Sequence, residues 1–233
     1  MNVHALIPAA GCGRRLGGTV SKQYLALGGQ PILALTVQRL AALESVSRLH
    51  LIVPPDDLDF CRHELLAPLH IAKPVQLVAG GAERQESVGN GLAACVATDD
   101  DLVLIHDGVR PFFPAARIDD LLAAARECGA ALLAIPAQDT IKQVVDGRVR
   151  QTLDRSTLWQ AQTPQAFRYG VLCEAQRRAA ADGFRATDDA SLVEYCGWPV
   201  AVVPGSPHNL KITTPDDLAL ARALLASDKE TPV

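Results

Sequence analysis

The residues best suited to chemistry come early. Pro8-Ala9-Ala10-Gly11-Cys12-Gly13-Arg14-Arg15 follows the first apolar run and leads to Lys22. Small residues let backbone N–H groups approach an anion closely, and Arg14, Arg15 and Lys22 supply positive charge. This is the make-up of a loop that binds a nucleoside triphosphate. Two similar motifs fail on spacing. A dinucleotide fingerprint needs Gly where Leu16 stands and an acidic residue about 20 positions on, where Gln30-Pro31 occurs. A P-loop needs Gly-Lys-Ser/Thr after four residues, which is missing here.

The elements that must position this loop alternate. Val3–Pro8, Leu49–Val53, Val75–Val78, Leu102–His106 and Ala131–Ile135 read as buried strands. Ile32–Leu43, Leu58–Leu66, Glu86–Val96 and Arg117–Cys128 carry apolar residues at helical spacing. The pattern implies an α/β, Rossmann-like fold with a mostly parallel sheet flanked by helices, whose ligand sits beyond the carboxyl ends of the strands. Further on, Tyr169–Ala181 and Asp188–Tyr195 read as helices and Val200–Val203 as a strand. Thr214-Pro215-Asp216-Asp217 opens a last helix with a capping Thr, Pro in the first turn and early acidic residues. One segment departs from the alternation. Thr140–Leu153 places two β-type runs around Asp146-Gly147, a type I′ hairpin signal. Such a hairpin is marginal alone and needs something to pack against, such as another subunit. The chain is expected to form one nucleotidyltransferase domain over residues 1–226, with 137–156 a protruding β-arm and 227–233 a flexible tail.

Composition narrows the partners. The 233 residues are 48% hydrophobic and 21% charged, with a formal net charge of -4, so a nucleic acid partner is not expected and a small phosphorylated ligand is favoured. The six cysteines (12, 61, 95, 128, 173 and 196) include no CxxC pair and no His at metal-ligand spacing. Most lie among apolar residues and read as buried, inert thiols suited to a reducing compartment. With no basic stretch leading into a long apolar run at the start, and no run near the roughly 20 residues of a membrane span, no membrane association and a cytoplasmic location are expected.

The loop, with Ser21-Lys22-Gln23-Tyr24, resembles the signature of the 2-C-methyl-D-erythritol 4-phosphate cytidylyltransferases of the non-mevalonate isoprenoid pathway. Further matches occur in family order: Gly80 to Ser87, His106 to Pro111, Asp139 to Lys142, Asp154-Arg155, Gln162 to Gln165, Thr187 to Ser191 and Asn209 to Thr213. The resemblance implies transfer of CMP from CTP to 2-C-methyl-D-erythritol 4-phosphate, releasing pyrophosphate, with Mg2+ held mainly through the CTP phosphates and no protein ligand assigned to it. It places Arg15 and Lys22 against the triphosphate, with the backbone of Ala9, Ala10, Gly11, Cys12 and Gly13 lining the same phosphates. Gly81, Arg84 and Ser87 resemble the segment that recognises cytosine and ribose, at a helix start with free N–H groups. Asp107 would meet ribose or the metal ion, and Arg110 the acceptor. Lys211, on a strand before the last helix, would position the acceptor phosphate. Thr163 and Thr187 are candidates at the nucleotide and acceptor sites. Thr140 and Arg155 flank the arm, which in the family crosses a dimer interface, so they would complete the active site of the partner in a homodimer with shared sites. His106 is given no role.

This sequence departs from the family where Asp is frequent at Ala82 and small Ala at Gly108 and Val109. Two other readings remain at this stage. One is a CTP-dependent transferase acting on another polyol phosphate, such as ribitol 5-phosphate. The other is a non-catalytic nucleotide-binding regulator, against which the presence of Arg15 and Lys22 speaks.

Overall fold

The computed structural model describes residues 1–11 and 21–230. Cys12, Gly13 and Arg15 therefore lie outside the described residues. In chain order the elements are β1 (Val3–Pro8), β2 (Ala26–Leu27), β3 (Gln30–Pro31), α1 (Ile32–Ala41), β4 (Arg48–Val53), α2 (Leu58–Phe60), β5 (Val75–Ala79), α3 (Arg84–Ala93), β6 (Leu102–Ile105), α4 (Ile118–Cys128) and β7 (Ala130–Pro136). After them come β8 (Lys142–Val145), β9 (Arg148–Thr152), β10 (Trp159–Arg168), α5 (Tyr169–Asp182), α6 (Asp189–Tyr195), β11 (Ala201–Pro204) and α7 (Pro215–Glu230). The expected helix over Leu58–Leu66 is irregular, since α2 gives way to a π turn at Cys61–Leu66. The last helix runs through Glu230, beyond Ala226.

Seven strands form one sheet in the order β11-β7-β10-β6-β1-β4-β5. All are parallel except β10, which runs antiparallel to both β6 and β7. Period-2 alternation sends successive side chains to opposite faces. Ala5, Ile7, Leu49, Leu51 and Leu104 enter one core with Leu33, Val37, Leu121 and Leu122 of α1 and α4. Leu6, Ile52, Val103 and Ile105 enter the other with Val88, Leu172, Ala175, Leu192 and Val193 of α3, α5 and α6. Strands buried on both faces explain the nearly continuous apolar runs that made them legible.

β10 is the element that the sequence conceals. Its Gln162-Thr163-Pro164-Gln165 run looks unlike a central strand, because proline cannot donate to a ladder. The strand tolerates it through a shift of register against β7 between Gln162 and Gln165. Its buried polar side chains all find partners. Gln162 Nε2 donates to the Ser206 carbonyl at 2.8 Å, and Gln165 Nε2 donates to Asp188 Oδ2 at 2.7 Å.

Among the described residues β8 and β9 pair only with each other, and they are exposed throughout. Asp146 (φ 50°) and Gly147 (φ 73°) are both left-handed, as a type I′ turn requires. Val144, Val145 and Val149 on this arm, and Trp159 just beyond it, are large apolar side chains left about half exposed.

Candidate active site

The carboxyl ends of β1, β5 and β6 converge on a cleft of about 170 Å³. Each strand leaves the sheet into a segment that the sequence marks as chemical. β1 delivers Ala9, Ala10 and Gly11, and Lys22 and Gln23 follow on the same wall. Buried Gln23 Nε2 donates to the Ala9 carbonyl at 3.0 Å, tying the segment after the loop back to β1. β5 delivers Gly81 and then α3, which presents Arg84 and Ser87. A Cβ on Gly80 would lie 2.3 Å from Ala10 Cβ, so glycine is what lets these two segments touch. β6 delivers Asp107, Gly108 and Val109, and Lys211 closes the cleft from the segment before α7.

Lys211 is not on a strand as expected. It lies in an extended stretch held to the wall where Ile212 N–H donates to the Val109 carbonyl at 3.0 Å. Nor are all the backbone donors before α3 free. Gly81 N–H donates to Ser87 Oγ at 3.0 Å, and Ala82 N–H to Glu86 Oε2 at 2.8 Å.

A buried carboxylate organises the charges. Asp107 Oδ2 is 3.0 Å from Lys211 Nζ and 3.1 Å from Arg110 Nε, and its Oδ1 is 3.8 Å from Arg84 Nε. Burial alone would raise this carboxyl, but Lys211, Arg84 and Arg110 outweigh it and hold it well below the usual carboxylate range. Arg84 also donates to Asp189 Oδ2 at 2.6 Å. Burial pushes the Asp189 carboxyl up, and the Arg84 guanidinium pulls against that shift. Arg84, Arg110 and Lys211 thus converge on Asp107, while Arg84 also serves Asp189 with Asp188 close by. Arg110 does not line the cleft itself. It lies behind Asp107, with Nη1 donating to the Asn209 carbonyl at 2.7 Å.

Thr163 likewise sits behind the cleft surface, where its hydroxyl accepts from Asp107 N–H at 3.1 Å and meets His106 Nδ1 at 3.0 Å. His106 is fully buried, contacts the Arg110 carbonyl at 2.8 Å, and burial pushes its pKa down to about 4. It is a neutral brace for the strand end. Thr140, Arg155 and Thr187 are exposed and none lines the cleft. Arg155 Nη1 donates to the Gln138 carbonyl at 2.5 Å at the base of the arm.

The glycine-for-alanine departure at Gly108 and the valine-for-alanine departure at Val109 have local causes. A Cβ on Gly108 would come within 2.7 Å of Leu33 Cδ1. Val109 packs in a small core with Leu27, Ile32, Phe112 and Ile212, so its bulk faces protein more than cleft. Residues given no role from sequence also build the site: Gln23, Asp189 and Asn209 are all buried polar groups that hold a cleft residue or its neighbour. Their signal in the sequence is faint, since partners such as Arg84 and Asp189 lie 105 positions apart.

The thiols need a correction. Among the described cysteines only Cys61 and Cys95 are buried, while Cys128 is exposed and Cys173 and Cys196 are half-buried. His4, His50 and Cys95 also meet in space although no spacing in the sequence relates them.

A divalent cation would find two carboxylates at the cleft, Glu83, which is paired with Arg185, and Asp107, whose oxygens already face three cations. Such a donor set fits a cation held chiefly by the phosphates of a bound nucleotide, not one caged by protein. No helix among the described residues is long and apolar enough to cross a membrane.

Comparisons with known proteins agree with this geometry. The family model for 2-C-methyl-D-erythritol 4-phosphate cytidylyltransferase (IspD) matches residues 3–227. The chain is 51% identical over 225 residues to the 2-C-methyl-D-erythritol 4-phosphate cytidylyltransferase of Syntrophotalea carbinolica, covering 97% of each chain. It is 49% identical over 227 residues to that of Geobacter metallireducens, covering 97% of this chain and 98% of the relative. Its structure resembles the crystal structure of 4-diphosphocytidyl-2C-methyl-D-erythritol synthase from Anaerococcus prevotii, with a TM-score of 0.85 and 31% identity over 97% of this chain and 96% of the other. The corresponding Thermus thermophilus enzyme gives a TM-score of 0.78 at 35% identity, over 97% and 100% of the two chains. With strand ends, cleft and charges arranged as above, the chain belongs to the 2-C-methyl-D-erythritol 4-phosphate cytidylyltransferase family, a family of nucleotidyltransferases.

Proposed function

We propose that the protein transfers CMP from CTP to 2-C-methyl-D-erythritol 4-phosphate, giving 4-diphosphocytidyl-2-C-methyl-D-erythritol and pyrophosphate. The observation that carries this reading is the meeting of the Ala9–Gly11 backbone, Lys22, Arg84, Ser87, Asp107 and Lys211 around one cleft, in a chain of this family. A substrate phosphate attacks the α-phosphorus of CTP, the bond to the β-phosphate oxygen breaks, and pyrophosphate leaves. Negative charge grows on the α-phosphoryl oxygens and on the leaving group, so fixed cations matter more than a general base. The attacking phosphate is ionised near neutral pH, which is consistent with a site built without a nucleophile–base pair.

In this reading Lys22, together with Arg15, holds the triphosphate and stabilises the transition state. The backbone of Ala9, Ala10, Gly11, Cys12 and Gly13 lines the phosphates. Gly81, Arg84 and Ser87 recognise cytosine and ribose, with Asp107 at the ribose. Lys211 receives the acceptor phosphate side, Arg110 acts there from behind the cleft through Asp107, and Asp107 keeps both of their charged groups in place. Thr163 acts on the nucleotide side through Asp107, and Thr187 on the acceptor side. Mg2+, bound through the CTP phosphates, would offset charge on the triphosphate when present.

The arm supports a homodimer with shared sites. Its valines are exposed and its strands pair with nothing else among the described residues, which is an unstable arrangement for an isolated ribbon. Thr140 and Arg155 at its base would reach the acceptor in the partner's cleft. A cytoplasmic location accords with the small soluble substrates. Lys22→Ala should lower turnover about 10²–10³-fold, the scale for loss of one transition-state contact. Unchanged turnover would refute the role given to Lys22.

A further inference from the structure

A second cluster of chemically able side chains lies away from the cleft. His4 on β1 and His50 on β4 alternate onto the sheet face covered by α3, the face of Leu6 and Ile52. Cys95, just past the end of α3, meets them there. His4 Nδ1 is 3.1 Å from His50 Nε2, and Cys95 Sγ is 3.6 Å from that same Nε2. All three ligand atoms lie within 4.8 Å of one another. Tetrahedral zinc holds nitrogen at about 2.05 Å and sulfur at about 2.3 Å, which sets N–N edges of about 3.3 Å and N–S edges of about 3.6 Å. The His4–His50 and His50–Cys95 spacings match these edges to within a few tenths of an ångström, and the remaining His4–Cys95 edge lies within 4.8 Å.

The environment suits a soft cation. His4, His50 and Cys95 are 3%, 0% and 8% exposed. Desolvation lowers the pKa of both imidazoles, and Arg48 acts in the same direction. Thiolate coordination sends the Cys95 proton to solvent as the ion enters, as it does in structural zinc sites. Asp101, the carboxylate nearest His4 in charge, accepts from Asn2 and Thr98 N–H and is committed to backbone. Two neutral imidazoles share a single N–H between them, and His4 Nε2 and His50 Nδ1 have no protein partner although buried. A plain apolar core would carry no such groups.

We infer that His4, His50 and Cys95 form a binding site for one d10 transition-metal ion of the Zn2+ class, with water as the fourth ligand. The bound ion would fasten the far end of α3 to β1 and β4. Because Arg84 and Ser87 stand at the opposite end of that helix, the clamp would steady the cleft wall without entering the cleft.

The test is Co2+ titration of the metal-stripped full chain, followed by absorption. The wild type should develop a tetrahedral visible band and a thiolate charge-transfer band in the near ultraviolet, saturating at about one equivalent, both erased by Zn2+. Cys95→Ser should lose the charge-transfer band and His50→Gln the tetrahedral spectrum. Cys128→Ser, at an exposed thiol, should keep both. Absence of the bands in the wild type, or their persistence in Cys95→Ser, would overturn the proposal. Should a variant fail to fold by circular dichroism, the wild type alone decides. An equimolar addition of Zn2+, but not Mg2+, should raise its melting midpoint, and no rise would overturn the site.

Discussion

Replacing Asp107 with Asn removes the carboxylate on which three cations converge while keeping its size. At about 4 Å and an effective dielectric near 20, each charge pair is worth roughly 4 kcal/mol before desolvation is counted. The side chains of Lys211 and Arg84 are 41% and 32% exposed, so solvent screens much of their share, whereas Arg110 at 13% is screened least. Breaking a buried pair by removing one partner costs about 3–5 kcal/mol, and Asn retains a carbonyl acceptor, so the low end, about 3 kcal/mol, is expected. In a chain of this size each kcal/mol moves the melting midpoint by about 2–4 °C, giving a fall of about 6–12 °C. The assay is thermal and urea denaturation of both proteins at pH 7.5 and at decreasing pH. Because the folded-state pKa of Asp107 lies below its unfolded value, its contribution is present above about pH 4 and is lost as pH falls further. The gap between wild type and variant should therefore shrink in acid. A midpoint within about 2 °C of wild type at pH 7.5 would refute the reasoning.

Gly80→Ala should drive Ala10 away from α3, since the new Cβ would sit 2.3 Å from Ala10 Cβ. A strain of about 1–3 kcal/mol at this junction should raise KM for CTP about tenfold, while Gly89→Ala, with nothing within 4 Å, should leave it unchanged. His50 and His106 each have a pKa near 4 in the folded state. The unfolded chain binds more protons between about pH 6.5 and 4, so each residue should cost about 3 kcal/mol of stability across that window. His106→Asn should flatten the urea-derived profile there, and an unaltered slope would show that His106 is not buried neutral. Inactive Lys22→Ala and Arg155→Ala proteins, mixed and allowed to exchange subunits, should regain pyrophosphate release if the arm completes the partner's site. Silence in verified mixed dimers would count against it.

The parallel sheet was legible because both of its faces are covered, so β1, β4, β6 and β7 read as nearly unbroken apolar runs. β10 was not, because Gln162 and Gln165 spend their polarity on Ser206 and Asp188, partners far along the chain that no local pattern announces. The cleft residues Lys22, Arg84, Asp107 and Lys211 could be named because each sits in a motif that resembles the family's. That Asp107 grips Arg84, Arg110 and Lys211 at once is a tertiary fact. So is the meeting of His4, His50 and Cys95, where two strands and a helix end supply one residue each. Thr140 and Arg155 mark the opposite limit: their motif was readable, yet one chain alone leaves them exposed and off the cleft.

The central claim is CMP transfer to a particular acceptor, and the measurement closest to it is pyrophosphate release by the purified protein with CTP and Mg2+. With 2-C-methyl-D-erythritol 4-phosphate as acceptor, release should be rapid and matched mole for mole by the cytidine diphosphate-linked product, while ribitol 5-phosphate should support little turnover. Preferential turnover of ribitol 5-phosphate, or no release with either acceptor, would contradict the account.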